Sequence, residues 1–589
     1  MPDAEPKKEI LIRGISAAPG IAHGPAFVFF QEGPHVPCYD ITEEQFEEHE
    51  RRFDEALLAT RQEITRLRDT VAGKLGKKEA AIFDSHLLVL EDPALIKATR
   101  EHMRATRRNI EHCFHEISGK YLAFFATIED QFFKGRDADI RDVARRVLHK
   151  LLGQSLRTLA EISDKRVIVA NDLTPSDTAH MSAGHALAMV TDGGNCTSHA
   201  VIMSRSLGIP AVVGALVATD KISFGDEVLV DGFGGLVYVN PSPDTLFHYG
   251  QEKLLREKFE AKVRAQVGLS EETADGKPFK LSANVNGVED VPAAHENHAR
   301  GVGLFRTESV FMKHPDHVPD EEAQYRYYAD VIRECAPERV IVRTLDIGGD
   351  KPYGALLTTA GGPPEQNPFM GFRAIRFCLE RKPTFRAHLR AILRASAHGS
   401  VKIMFPMISS LDELLKAKKF LAEVEAELRA EGAAVADNYQ IGSMVEIPSA
   451  AVSAALLAEH CDFLSIGTND LVQYMLAVDR GNGRIAHLYE PCNPAVLSVI
   501  RGVIEAGAAR GKPVSICGEL AGETAFAPLF IGLGAASLSM APANIPQVRF
   551  LLRHCDSGEL AALVAAVFAE HEPKKIQHIL RAFAAKKLQ

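Results

Sequence analysis

A multidomain α/β chain that ends in a (β/α)8 barrel is the fold this sequence predicts. Three observations lead there. The chain has 589 residues, too many for one ordinary domain, so two to four are expected. Charged helical text interrupts strand-like text between about residues 43 and 152. From Phe279 onward, eight short apolar runs alternate with helical text. That alternation is the signature of parallel strands joined by crossover helices. A doubly wound open sheet is the structural rival.

The elements follow in order. Ile10 to Phe30 alternates short apolar runs with Gly and Pro, which predicts one or two strands and a tight turn. From Glu43 to Leu75 the apolar residues Phe46, Phe53, Leu57, Ile64 and Leu67 recur in helical steps, so one helix face is apolar. Similar text runs to about Leu152, broken near Glu91-Asp92-Pro93 and at Gly135, and predicts a small bundle. Strand text returns at Arg166–Ala170, Ala186–Val190, Glu227–Val230 and Gly235–Val239. The helical block therefore reads as an insertion into an α/β domain that resumes near residue 155. Tyr249 to Val267 is charged and unbroken, one helix roughly 28 Å long. Ser270 to Pro278 (SEETADGKP) is polar with Gly and Pro, which predicts a hinge or linker. The eight barrel strands are expected in LSANVN, GVGLF, VIVRTL, VKIMF, IGSMV, FLSIG, VSIC and SLSM.

Composition narrows the class. Hydrophobic residues make up 46% and charged residues 24%, as in soluble globular proteins. A net charge of -10 argues against a nucleic-acid binder and against a polybasic membrane anchor. No apolar run is long enough to span a bilayer, and MPDAEPKKEILIRG does not read as a signal peptide. The nine cysteines form no CxxC pair, so neither a zinc site nor a disulfide framework is expected. Reduced thiols in a cytoplasmic protein are the simple reading.

The barrel reading places catalytic groups at the C-terminal ends of strands. Arg306, Arg343, Glu446, Asn469, Asp470 and Cys517 all fall there. Arginine forks bind phosphate and carboxylate bidentately. Two carboxylates plus substrate oxygens suit Mg²⁺. The implied ligand is anionic, phosphorylated and metal-bound. Taken singly, each residue has an ordinary reading: a surface ion pair for an arginine, a helix cap for Glu446, a small buried hydrophobe for Cys517. Their joint occurrence at equivalent strand ends favours the functional reading.

A second stretch, GGNCTSHAVIMSRSLGIPAVVG (residues 193 to 214), carries a different signal. Thr197 or Ser198 can cap a helix running to Leu207, with His199 in its first turn. The helix dipole there favours the neutral, nucleophilic imidazole and an anion beside it. A histidine packed against a loop is the ordinary alternative.

The same stretch resembles the phosphohistidine motif of the phosphoenolpyruvate-utilising enzymes. The texts GVGLFRTE, VRTLDIGGDKP, NPFMGFRAIR, IMFPMI, MVEIPSA, SIGTNDLVQYMLAVDRGN and SICGELAG are similar to the Enzyme I branch of the bacterial phosphotransferase system, the phosphoenolpyruvate–protein phosphotransferases. EAAIFDSHLLVLEDPAL resembles that branch's carrier-docking subdomain. The resemblance implies a swivelling phosphohistidine α/β domain from 1–34 and 153–245. It implies an inserted helical subdomain at 35–152 that binds the phosphocarrier HPr. A linker helix and hinge would follow at 246–277, then a substrate-binding and dimerising TIM barrel at 278–589. By position, His199 would be phosphorylated and Thr178 would hydrogen-bond its ring. Arg306, Arg343 and Arg480 would hold phosphoenolpyruvate, with Asn469 on its phosphate. Glu446 and Asp470 would hold Mg²⁺, and Cys517 would protonate the enolpyruvate carbon. Two features depart from the pattern. Asn195 and Cys196 stand where the family has Gly and Arg, and the N-terminus is a few residues longer. Rival readings are a dikinase or synthase of the same family, for whose nucleotide domain no segment is spare, a regulatory paralogue in a nitrogen-type phosphorelay, and a turnover-deficient interaction protein.

Overall fold

The computed structural model describes residues 9–29, 36–75, 82–126, 136–153, 162, 164–173, 177, 185–193, 201, 204–205, 208–314, 317–348, 367–480, 482 and 484–588. Thr178, Asn195, Cys196, His199 and most of the helix expected from Thr197 to Leu207 lie outside these, with Val201, Ser204 and Arg205 of it described as helical. The chain forms two compact units, 1–255 and 256–589.

The first unit is built on eight strands: β1 (Ile10–Arg13), β2 (Ile15–Ala18), β3 (Ile21–Phe29), β4 (Arg166–Ala170), β5 (Ala186–Thr191), β6 (Ala211–Val213), β7 (Glu227–Asp231) and β8 (Leu236–Val239). They form one sheet in the order β1-β8-β7-β3-β4-β5-β6-β2. The N-terminal text thus makes three strands rather than one or two, because Gly14 and the Pro19-Gly20 pair each allow a break. Gly235, expected to open β8, instead takes φ +66° in the turn before it. A Cβ there would fall 2.7 Å from the Gly14 carbonyl oxygen. β6 was hidden in the sequence because its three residues follow a Gly-Ile-Pro that reads only as a helix stop. Alternation along β4 sends Ile168 and Ala170 to one face and Val167 and Val169 to the other, and each pair joins a separate apolar core.

β3 and β4 are parallel neighbours, Ala26 opposite Val167. The chain between them is the helical block, so the bundle occupies a crossover connection. Its helices are α1 (Phe46–Leu75), α2 (Ile82–Leu90), α3 (Pro93–Thr106), α4 (Ile110–Ala126) and α5 (Arg136–Leu151). Phe53, Ile64 and Leu67 of the expected stripe are buried, and Phe46 and Leu57 pack against them. The break before α3 is a cap: the Ala94 N–H donates to Asp92 at 2.8 Å, and Pro93 opens the helix.

A long helix, α6, spans Pro243–Ala265, beginning six residues before the expected Tyr249. The missed signal is Ser-Pro-Asp. Ser242 Oγ accepts from the Thr245 N–H at 3.2 Å, and Pro243 follows at the first helical position. The part of α6 in the first unit buries Tyr249 against Tyr238. The part in the second packs Phe259 edge-on to Phe550.

The second unit is a closed barrel of eight parallel strands, which removes the open-sheet rival. They are β9 (Leu281–Val285), β10 (Val302–Arg306), β11 (Val340–Arg343), β12 (Val401–Phe405), β13 (Gln440–Val445), β14 (Phe463–Ile466), β15 (Val514–Ile516) and β16 (Ser537–Met540). β16 closes onto β9 with Leu538 opposite Leu281. All eight expected strands are present. No helix among the described residues is long and apolar enough to cross a membrane, and the eight described cysteines are free thiols.

The segment 270–278, expected as a hinge or linker, is fastened to the barrel. Arg549 is 1% exposed. Its guanidinium donates to Glu271 at 2.9 Å and to the carbonyls of Val267 at 2.6 Å, His298 at 2.6 Å and Asn297 at 3.1 Å. The Ala274 N–H adds a bond to the Cys555 carbonyl at 2.8 Å. Polar residues with Gly and Pro give a turn here, and one buried charge pins it. Arg549→Ala strands Glu271 in the interior and should cost the barrel about 3–5 kcal/mol. Urea unfolding followed by circular dichroism measures this in a chain without tryptophan. A loss below about 1 kcal/mol would contradict the anchor.

Candidate active site

At the C-terminal ends of the barrel strands a cavity of about 290 Å³ opens, near the low end of small-ligand sites (roughly 300–1,000 Å³). The seven barrel residues singled out from the sequence, Arg306, Arg343, Glu446, Asn469, Asp470, Arg480 and Cys517, all line it. Arg306 and Arg343 close β10 and β11, and Glu446 and Cys517 follow β13 and β15 directly. Asn469 and Asp470 lie in the first turn of α7 (Thr468–Leu476), and Arg480 lies in the loop beyond it. Their separation in sequence is large, and strand closure alone brings them together.

The site is held by a chain of buried ion pairs. Arg343 contacts Glu308 at 2.6 Å and Asp346 at 3.1 Å. Asp346 also meets Arg373 at 2.8 Å, and Arg373 reaches Asp470 at 3.5 Å. Arg480 approaches the other oxygen of Asp470 at 3.6 Å. Burial disfavours the charge on Arg343, yet Glu308, Asp346 and Glu446 hold its pKa above the ordinary value. Arg373 behaves likewise beside Asp346 and Asp470. Arg306 has no ion pair or hydrogen bond among the described residues, so its fork is left for a ligand. Asn469 Oδ1 accepts from the Glu519 N–H at 3.0 Å, which leaves its amide NH₂ as the donor.

Glu446 does not cap the next helix, which has no side-chain cap. Its Oε1 instead accepts from the Met407 N–H at 2.7 Å. Met407 holds φ +55°, an uncommon conformation that aims this N–H. Gly467 permits the close approach, because a Cβ there would lie 2.8 Å from Glu446 Oε2. Burial first, then the charges of Asp470 and Asp346, push the Glu446 carboxyl up to about 8. Asp470 Oδ1 is buried and accepts no hydrogen bond. Two buried carboxylates, one raised and one under-satisfied, fit a hard divalent cation that completes its shell with substrate oxygens and water. No group of three or more candidate ligands occurs among the described residues. Cys517 is both a wall of the cavity and part of the barrel's interior cluster. Burial raises its thiol to about 11, so it carries its proton at neutral pH.

Sequence reasoning missed Arg373, Glu308 and Asp346. Glu308 and Asp346 lie two and three residues beyond the arginines at strand ends, and that adjacency was a usable signal. Arg373 enters from a loop remote from any strand end, and its one signal was its place in the text NPFMGFRAIR. Sequence also missed His388, which lies 0% exposed on the helix Lys382–Ser396 behind this wall. Its Nε2 accepts from the Leu345 N–H at 3.1 Å, next to Asp346, and its Nδ1 faces Gln324 Oε1 at 3.0 Å.

Comparison with known proteins gives a consistent result. Three family models match in order: the PEP-utilising enzyme N-terminal domain over residues 13–136, the mobile domain over 162–235, and the PEP-binding domain over 260–557. Relatives described as phosphoenolpyruvate-protein phosphotransferase are similar along almost the whole chain. Those of Bacillus sp. (strain S) and Geobacillus stearothermophilus are each 43% identical, covering 95% of this chain and 96% of theirs. That of Staphylococcus carnosus (strain TM300) is 41% identical, covering 94% and 95%.

One pH effect follows from the wall of the site. Burial pushes His388 down to about 3 from 6.5, so the folded protein keeps it neutral where the unfolded chain protonates it. Stability is therefore lost as pH falls below about 6.5, by about 1.4 kcal/mol per unit, until the folded value is reached. The advantage of wild type over His388→Gln in denaturant titrations should shrink at that rate between pH 6.5 and 4.5. A constant difference would show that the ring does not carry this penalty.

Proposed function

The chain belongs to the PEP-utilising enzymes, and from that premise we propose that it is a phosphoenolpyruvate–protein phosphotransferase. It moves a phosphoryl group from phosphoenolpyruvate to its own His199, then to a histidine of the carrier HPr. The observation that carries this reading is the convergence of four arginines, the Asn469 amide, the Glu446 and Asp470 carboxylates and the protonated Cys517 thiol on one small cavity.

Phosphoenolpyruvate has two anionic ends, and the arginine set matches both. Arg306, Arg343, Arg373 and Arg480 hold the phosphate and carboxylate, with the Asn469 amide on the phosphate. Glu446 and Asp470 are the residues that would hold Mg²⁺, which supplies charge neutralisation on the transferring group. Neutral His199 attacks phosphorus, a P–N bond forms and the P–O bond to the enol breaks. The arginines stabilise charge on the phosphoryl oxygens. The enolate carbon takes the Cys517 proton, giving pyruvate, and solvent reprotonates the thiolate. Thr178 orients the His199 ring.

The second transfer goes to HPr docked on the helical bundle. A groove on α1 lined by Glu47, Glu50, Arg51, Asp54, Glu55 and the exposed Leu58 keeps a net acidic lining, although Arg104, Arg100 and Arg51 pair with Glu50, Asp54 and Glu55, and supports a partly apolar partner with basic groups there. His199 must then serve two stations. Because Arg549 fixes the segment after Glu271, the turning point belongs ahead of it. Homodimerisation through the barrel and a cytoplasmic location complete the reading.

Three measurements test it. Intact mass spectrometry after mixing with phosphoenolpyruvate and Mg²⁺ should show one acid-labile phosphoryl group on wild type and none on His199→Ala. An unlabelled, folded wild type would favour the turnover-deficient reading that Asn195 and Cys196 raise. Cys517→Ala should lower kcat by about 10²–10⁴-fold while phosphoenolpyruvate binding changes little. An unchanged kcat would remove the thiol from proton transfer. Arg373→Ala should cut kcat/KM about 100-fold or more, whereas the neighbouring Arg376→Ala should stay near wild type. Equal effects would reduce Arg373 to a structural role.

A further inference from the structure

The N-terminal mouth of the barrel, opposite the site above, holds a group that the proposed chemistry does not use. Lys402 is the second residue of β12 and is 7% exposed. Met404, two residues on, belongs to the barrel's interior cluster with Phe463 and Cys517. The period of two puts Lys402 on the same inward face. Phe463 opens β14, and its ring fills the interior because β13 carries Gly442 beside it. A Cβ at Gly442 would lie 2.4 Å from the ring. The Lys402 ammonium lies 4.5 Å from the centroid of that ring.

The ring attracts the ammonium through its π face, but it offers no acceptor to three N–H donors. No described residue accepts a hydrogen bond from Lys402 or pairs with it. The charges acting on it are mostly of its own sign. Burial, then Arg339 and Lys280, push its pKa down to about 8, and the carboxylate of Asp462 opposes them. Asp462 already accepts from the Ile441 N–H at 2.8 Å. Lys280 and Arg339 immediately precede β9 and β11, so all three cations sit at strand beginnings on one mouth. Arg339 is exposed, and its Nε reaches only Ser400 Oγ, at 3.4 Å. A mostly buried lysine whose ammonium has no acceptor among the described residues, flanked by two more cations, is matched to an anion.

We infer that the N-terminal mouth of the barrel binds a small oxyanion of the phosphate type, with Lys402 as its buried contact and Lys280 and Arg339 at its rim. The site is separate from the arginine cluster, which lies at the other end of the strands. Lys402 is 7% exposed and meets solvent through its ammonium end, which suits an oxyanion head, either free phosphate or the phosphoryl end of a larger metabolite.

Equilibrium dialysis of labelled orthophosphate against the full-length protein at pH 7 tests this. The active-site arginines also attract phosphate, so the number of sites is read against variants. Lys402→Met should bind one equivalent fewer than wild type and retain phosphotransfer activity. Arg306→Ala should leave the Lys402-dependent equivalent in place. Arg339→Ala, a surface change, should weaken that equivalent roughly tenfold. Displacement by glycerol phosphate assigns the site to a metabolite's phosphoryl end, and resistance assigns it to free phosphate. Equal phosphate counts in wild type and Lys402→Met overturn the inference. Should Lys402→Met fail to fold, an unchanged phosphate isotherm in Arg339→Ala overturns it instead.

Discussion

A guanidinium can be kept inside a protein only where carboxylates meet it, and the C-terminal rim of the barrel is organised around that requirement. Arg343 and Arg373 are 5% and 1% exposed. Asp346 touches both, Glu308 braces the first and Asp470 the second. Removing a member would leave its partners short of opposite charge in a poorly solvated place. The loops that follow β10, β11 and β14 are thereby fixed relative to one another before any ligand arrives. Preorganisation of this kind is what a phosphoryl-transfer site needs, since charge positioning supplies most of its catalysis.

The carboxylates are not all spent on that bracing. Burial and the charges of Asp470 and Asp346 outweigh the pull of Arg343 and Arg373 on Glu446, and its proton affinity is raised accordingly. Asp470 keeps one buried oxygen without a hydrogen bond. The same wall therefore combines a satisfied half, which gives rigidity, with an under-satisfied half of the oxygen chemistry that a hard cation takes. Behind it, His388 fixes the Leu345 N–H from outside the barrel, so the strand end is held from both sides.

The organisation of the chain follows similar economy. The helical bundle fills one crossover between parallel neighbours, which lets a large insertion enter without disturbing the sheet. Arg549 fastens the polar segment after α6 to the barrel through carbonyls and one carboxylate. A stretch whose composition signals freedom is thereby pinned by one buried charge.

Periodicity and strand-end chemistry were legible in the sequence because they are local. The α1 stripe, the Asp92 cap, all eight barrel strands and the seven strand-end or loop residues of the cavity could be read from spacing, turn residues or family motifs. Where two local signals overlapped, the reading failed: β6 was masked by a helix stop, and the start of α6 by text that looked like a loop. His388, Arg549 and Lys402 could not be read at all. Nothing adjacent in the chain distinguishes them from surface cations or a core histidine. Their roles depend on which groups lie across the barrel wall, a matter of long-range closure and burial. The sequence by itself determined the elements, their order and the chemistry on offer. Only the tertiary structure decided which charges are buried together, because the energy of a charge depends on its neighbours in space and on the water they exclude.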